Sequence, residues 1–206
     1  MAKHGKTIAI KELNDGGYSH AEMLHVFIRD VMVNSSFELK DLDAVAVSKG
    51  PGSYTGLRIG VSAAKGLCFA LEIPLISVDT LESLATALQV ESGIKVPMLD
   101  ARRMEVYSAI FDHSNTLLRN VEAEIIDETS FREYLEHKSI YFLGDGVEKC
   151  EVILNHQNAN FIKDLFPSAK EMSKLSFDKF KKDQIEDVAY FEPFYLKDFK
   201  ITRSKK

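Results

Sequence analysis

Between Ala44 and Val78 the sequence leaves the backbone little choice. Ala44–Val47 reads AVAV, a short and wholly apolar run of the kind found in strands covered on both faces. It is followed by SKGPGSYTGLRIG, Ser48–Gly60, in which four glycines and a proline precede a helical pattern over Thr55–Leu71 and a second apolar strand at Leu75–Val78. Two buried strands joined through a helix imply parallel pairing, so the unit reads as one piece of an α/β sheet. The flanking segments agree with it. Lys6–Leu13 alternates as a strand does, and His20–Asn34 places Leu24, Phe27, Ile28, Val31 and Met32 on one helical face. A helix over Thr80–Gln89 opens with Asp79-Thr80-Leu81-Glu82, a capping-box-like start.

The pattern changes after Val96. Lys95–Asp100, Glu105–Phe111 and Thr116–Ile126 read as an antiparallel meander, followed by a helix (Ser130–His137), a strand (Ser139–Leu143), a Gly144-Asp145-Gly146 turn and a helix from Val147. With 206 residues available, this gives a two-lobed division: residues 1–96, residues 97–189 and a C-terminal segment 190–206. The aromatic stretch Tyr190–Leu196 is too apolar for a free tail and is expected to pack back on the body.

A formal net charge of −5 argues against nucleic-acid binding by the chain alone, which needs a concentrated basic face. Local basic clusters at Lys179–Lys182 and Arg203–Lys206 offer candidate contacts, although solvated helix and tail is the simpler reading. No apolar run is long enough to span a bilayer, and the two cysteines, Cys68 and Cys150, sit far apart in no metal-like spacing. The cytoplasm is the expected location, with no membrane partner.

The glycine loop does not fit the two phosphate cradles it suggests. A P-loop has four residues between its glycines and then Gly-Lys-Ser/Thr, whereas Gly50 and Gly56 are separated by five and Leu57-Arg58 follow. A dinucleotide fingerprint would need glycine where Thr55 stands, and Asp79 comes late for its acidic residue. The helix after the loop is more informative. Leu57, Val61, Ala64, Cys68 and Leu71 make one apolar stripe, and Gly56, Gly60, Ala63, Leu67 and Ala70 make a second stripe of mostly small residues. Small residues let another backbone approach closely, either a helix of the same chain or one of a partner.

Ser48–Gly60, with Gly50-Pro51-Gly52-Ser53-Tyr54-Thr55-Gly56-Leu57-Arg58, resembles the signature of the TsaB (YeaZ-like) family. That family supplies the accessory subunit for threonylcarbamoyladenosine formation in bacterial tRNA and usually has Phe where Tyr54 stands. The resemblance extends through Tyr18-Ser19-His20-Ala21-Glu22, Ser77–Ala85, Asp100-Ala101-Arg102-Arg103 with Glu105-Val106-Tyr107, and Pro193-Phe194-Tyr195-Leu196. It implies an actin-like, Hsp70-like two-lobed α/β fold and a noncatalytic scaffold that activates a catalytic threonylcarbamoyl transferase paralogue. It also implies an associated ATPase subunit, a homodimer when the chain is alone, and contact with tRNA only through the complex. The implied partner interface is His20, Leu24, Phe27, Gly56, Gly60, Ala63 and Leu67. Gly50, Pro51, Gly52, Ser53, Tyr54, Thr55 and Arg58 would form a structural loop.

The paralogue carries two metal-binding histidines on the helix that here reads Asp79–Ala85, which has none. His20 and His25 are five apart and would splay around a helix, so neither metal nor cofactor is expected, apart from a nucleotide at the heterodimer interface. The alternative is an enzyme of the same fold, peptidase-like or nucleotide-hydrolysing: Ser53, His20 and Asp79 can be assembled on paper into a triad. Arg102 and Arg103 at a hairpin tip read as a phosphate contact or a solvated turn, and Gly144-Asp145-Gly146 as a remnant nucleotide loop or a plain turn. Members of the family begin with an apolar strand that lies centrally in the sheet, between the strands here at Lys6–Leu13 and Ala44–Val47. Its apparent absence leads to the expectation that the natural protein begins upstream of Met1, or that another segment or chain fills the gap.

Overall fold

The computed structural model describes residues 1–14 and 20–197, with the side chains of residues 20–22 left aside. The strand–turn–helix–strand unit forms as expected. Strands β3 (Val45–Gly50) and β4 (Leu75–Asp79) pair in parallel with Val45 opposite Leu75, and helix α2 (Tyr54–Leu71) crosses between them. Its first apolar stripe provides the contact: Val61, Ala64 and Cys68 are buried, and Ala64 and Cys68 pack with Leu75, Val45 and Val47. The Ser53 hydroxyl caps α2 by accepting the Gly56 N–H at 3.3 Å. Glu72 ends the helix in a left-handed conformation while its N–H still bonds to the Cys68 carbonyl.

Helix α3 (Thr80–Thr86) is shorter than its sequence pattern and lies in the interior, with Leu81, Leu84 and Ala85 buried. The Asp79 carboxylate fixes its start by accepting the N–H groups of Leu81 and Glu82 at 2.9 and 3.2 Å. These buried side chains form one cluster with Leu99, Ala109, Phe111 and Leu143 of the second sheet, so α3 is the joint between the two sheets.

The second sheet has five strands in the order β7-β6-β5-β8-β9. Strands β5 (Ile94–Asp100), β6 (Glu105–Asp112) and β7 (Leu117–Ile125) form the antiparallel meander. Strand β8 (Ile140–Leu143) adds in parallel to β5, and β9 (Ala159–Ile162) adds in parallel to β8. Two short helices, α4 (Arg132–Leu135) and α5 (Val147–Glu151), help enclose a core that includes Ile94, Val96, Met98, Val106, Ile110 and Phe142. Strand β5 starts at Ile94, so residue 96 lies within it.

Three expectations change. Lys6–Leu13 is a strand only at its start: β2 (Lys6–Thr7) pairs antiparallel with β1 (Ala2–Lys3), and the rest of the segment joins no sheet. Its alternation finds a hairpin partner in the residues just before it and no longer strand among the described residues. Second, helix α6 (Ala169–Lys181), placed in the second lobe by its sequence position, packs on β4, β3 and β2 of the first. The third concerns the region after α5, where β9 and a full helix α6 form, while the sequence pattern indicates only a helical stretch around Lys179–Lys182.

From Glu186 onward the chain returns to the first lobe. Glu186 bridges to Leu75 on the free edge of β4. The Lys65 ammonium donates to the carbonyls of Ala189 and Phe191 at 3.1 and 3.0 Å, and the Phe194 N–H donates to the Lys49 carbonyl at 2.7 Å.

Candidate partner-binding face

The glycine loop is built around this returning segment. At Gly50 the backbone has φ +112°, and a Cβ there would lie 2.8 Å from the Phe194 carbonyl oxygen, so only glycine fits. The Gly50–Pro51 bond is cis. Tyr54, at the start of α2, packs at a 36° tilt against Tyr195 with ring centroids 4.9 Å apart, and the Arg58 guanidinium lies 5.1 Å from the Tyr54 ring. Gly52 and Ser53 complete the turn, with Ser53 as the cap, and Thr55 already lies in the first turn of α2. The loop is thus a strand-to-helix turn seated on the chain's own C-terminal segment.

Beyond the turn, the outward side of α2 faces α1 (His20–Ser35). Among the described side chains of α1 none is fully buried, although Leu24, Phe27, Ile28, Val31 and Met32 share a face; each remains partly open to solvent. Val33 on α1 and Phe69 on α2 are 72% and 83% exposed, which leaves large apolar surface uncovered in this chain. Where the helices meet lies a groove of about 560 Å³, with His25 on one side and Arg58, Ile59, Ser62, Ala63, Gly66 and Leu67 of α2 on the other.

The structure divides the small-residue stripe. Ala63 and Leu67 line the groove, whereas a Cβ at Gly60 would point to Val47 Cγ2 at 3.8 Å, on the sheet side, and one at Gly56 would meet Ser53. Close outward approach is possible instead at Gly66, where an added Cβ meets nothing within 4 Å. Ile59, Ser62, Ala63 and Gly66 follow the i, i+3, i+4, i+7 spacing about 100° around the helix from Gly60. Ser62, a polar residue in a mostly apolar helix, was the signal for that rotation. Leu24 and Phe27 sit half-buried on α1, and the side chain of His20 lies outside the described residues, as do Tyr18 and Ser19.

Other candidate chemistry has structural employment. Ser53 and Asp79 serve as N-caps of α2 and α3. Burial raises the Asp79 carboxyl above the ordinary range, against the two backbone N–H groups and the nearby Lys49 and Lys179 ammonium groups. Both cysteines are buried, and burial pushes the Cys150 thiol up to about 11. Gly144 has φ +112° with a Cβ position only 2.2 Å from the Met98 carbonyl oxygen, so the Gly144-Asp145-Gly146 turn is small because it packs onto β5. In the Lys179–Lys182 cluster, Lys179 donates to the Ser77 carbonyl at 2.8 Å and Lys181 pairs with Asp178 at 3.1 Å. Arg203–Lys206 lies outside the described residues.

A parallel β–α–β unit joined through an interior helix to a mixed five-stranded sheet, with a helix pair left open on one flank, is an actin-like α/β arrangement. YeaZ from Pseudomonas aeruginosa shares the fold, with a TM-score of 0.76 at 24% identity over 89% of this chain and 92% of that one. The family model described as TsaD, tRNA N6-adenosine threonylcarbamoyltransferase, matches residues 16–201. The tRNA threonylcarbamoyladenosine biosynthesis protein TsaB of Buchnera aphidicola subsp. Schizaphis graminum is 30% identical over 174 residues, 81% of each chain. That of Bacillus subtilis is 46% identical over a shorter stretch of 82 residues, 40% of this chain and 36% of that one. The chain belongs to the TsaB (YeaZ-like) family.

Proposed function

We propose that this chain takes part in tRNA N6-threonylcarbamoyladenosine synthesis as a noncatalytic scaffold that activates a catalytic threonylcarbamoyl transferase paralogue. The observation that carries this reading is the α1–α2 face: an amphipathic helix whose apolar side is only half covered, beside a groove with Gly66 open in its wall. The paralogue's equivalent helices would cover this face, and a second copy of the chain would do so when the paralogue is absent. A stable interface needs roughly 1,000 Å² or more, which two helices on each side can supply. The scaffold acts by selecting the competent conformation of its partner, a population shift that needs no chemistry of its own. In this reading the complex is cytoplasmic and includes an ATPase subunit, and tRNA meets the chain only within it. The chain holds no cofactor, and any nucleotide sits at the heterodimer interface.

Gly66→Leu tests it. The substituted side chain enters open space and removes a helix-interior glycine, so thermal stability should stay equal or rise, by up to about 1 kcal/mol. Co-purification with the transferase and reconstituted tRNA modification should both be lost. A stable variant that still co-purifies with the transferase overturns the docking face.

A further inference from the structure

The β5–β6 hairpin ends in a turn that contradicts ordinary turn chemistry. Ala101 and Glu105 close it, with Ala101 N–H to Glu105 O at 3.0 Å and Glu105 N–H to Arg102 O at 3.2 Å. Inside it, Arg102 and Arg103 have φ of +73° and +54°, successive left-handed positions that favour glycine or asparagine. Both side chains are exposed. A long cationic side chain gains nothing from this backbone, so the turn holds two strained arginines that the fold itself does not require.

The surrounding charges are already engaged. Asp100 Oδ1 accepts the Arg102 N–H at 2.7 Å and pairs with the Lys149 ammonium. Asp145 Oδ1 accepts the Asp100 N–H at 2.9 Å, and the Glu105 carboxylate pairs with Lys197. Among the described residues neither Arg102 nor Arg103 has an ion-pair partner. Lys197 also lies over the ring of Tyr107, 5.7 Å from its centroid. Lys197 is held by Glu105 and Tyr107 packs on the core, so both belong to the body of the protein. The two exposed guanidiniums, unpaired among the described residues, are the outward cations that a nucleic-acid backbone can track. A mononucleotide or free phosphate shares the chemistry, but small ligands are held in concave sites, whereas a polymer backbone needs only outward cations.

We propose that the Arg102–Arg103 tip binds the phosphodiester backbone of RNA. The choice of RNA rests on the function proposed above, while anion binding at the tip rests on the geometry. With a chain charge of −5, the contact supplements RNA affinity supplied elsewhere in a complex.

The full chain, with arginine side-chain NMR signals assigned, is titrated at low salt with a short RNA stem-loop, with ATP and with polyglutamate. The Arg102 and Arg103 signals should shift with RNA at the lowest concentration and return as salt is added. Equal shifts with polyglutamate, shifts with ATP alone, or none with RNA would each overturn the proposal. In the complex with the transferase, the double variant Arg102→Asn, Arg103→Gly relieves the backbone and should melt no lower than the parent. Its tRNA affinity should fall about tenfold, and the slope of log K against log salt should lessen by about 1.4, the value for two phosphates of a single strand. An unchanged affinity and slope in the assembled complex also refutes the tip. Failure of the complex to assemble refutes the scaffold reading instead, and the full-chain titration still decides the tip.

Discussion

Lys95 has no exposed surface, yet it begins the second sheet between the buried Ile94 and Val96. Its ammonium donates to the Leu88 carbonyl at 3.3 Å and to Asn115 Oδ1, tying the chain after α3 to the β6–β7 turn. Burial holds its pKa below the ordinary 10.5, with Asp112 opposing part of that shift. The unfolded chain therefore binds more protons between the lowered folded value and 10.5. Stability from this residue rises with pH across that window, and below it the full cost of burying the ammonium is present. Lys95→Met should remove this rise while changing stability at neutral pH by no more than about 2 kcal/mol, since an apolar replacement of similar shape also removes the buried charge. Urea unfolding of both proteins from pH 7 to pH 10.5 measures it, and parallel pH profiles would show that Lys95 does not titrate in this way. Lys95 stood in a recognised strand, but its burial was not legible: alternation assigns a residue to a face, and here both faces of β5 are covered.

Among the elements, α3 takes its start from a single side chain. Asp79 supplies the acceptor for two of its first N–H groups, while its burial opposes the charge it carries. Asp79→Ala should cost about 1–2 kcal/mol through loss of the cap. Asp79→Asn keeps an acceptor and drops the buried charge, so at pH 7 it should stay within about 0.5 kcal/mol of the parent. The raised folded pKa also means that the parent gains stability on acidification from the folded value towards 3.8, a gain the Asn variant lacks. Equal losses for Ala and Asn in chemical denaturation would remove capping as the explanation. The helix start was legible because Asp79 and Glu82 have capping spacing. Its early end at Thr86, where the Ala87 N–H bonds to the Leu84 carbonyl, was not, because the helical pattern runs on to Gln89. α2 was legible almost to the residue, but which of its glycines faces outward was not. Only contact with Val47 shows that Gly60 faces the sheet and leaves Gly66 outside.

At the scale of the molecule, the C-terminal segment connects parts distant in sequence. It bridges the edge of β4 at Glu186, holds Lys65 of α2 and seats the glycine loop through Phe194 and Tyr195. Lys197 then reaches Glu105 at the start of β6. Gly50→Ala places a Cβ against the Phe194 carbonyl at a positive φ and should cost about 3 kcal/mol. Residues 187–197 should become sensitive to protease at temperatures where the parent is resistant; an unaltered melting temperature and digestion pattern would show that the loop and segment are independent. The parallel β–α–β unit and the meander were legible in local pattern, because periodicity, caps and turn residues act over a few positions of the chain, and the motif around the glycine loop carried the resemblance to the family. Only the packing of distant segments brings α6 back to the first sheet, adds β9 to the second, turns Gly66 rather than Gly60 outward, and leaves Arg102 and Arg103 without an ion-pair partner among the described residues at a tip with positive φ. Each of these depends on which distant surfaces meet and which charges are already paired, and local pattern carries no record of either.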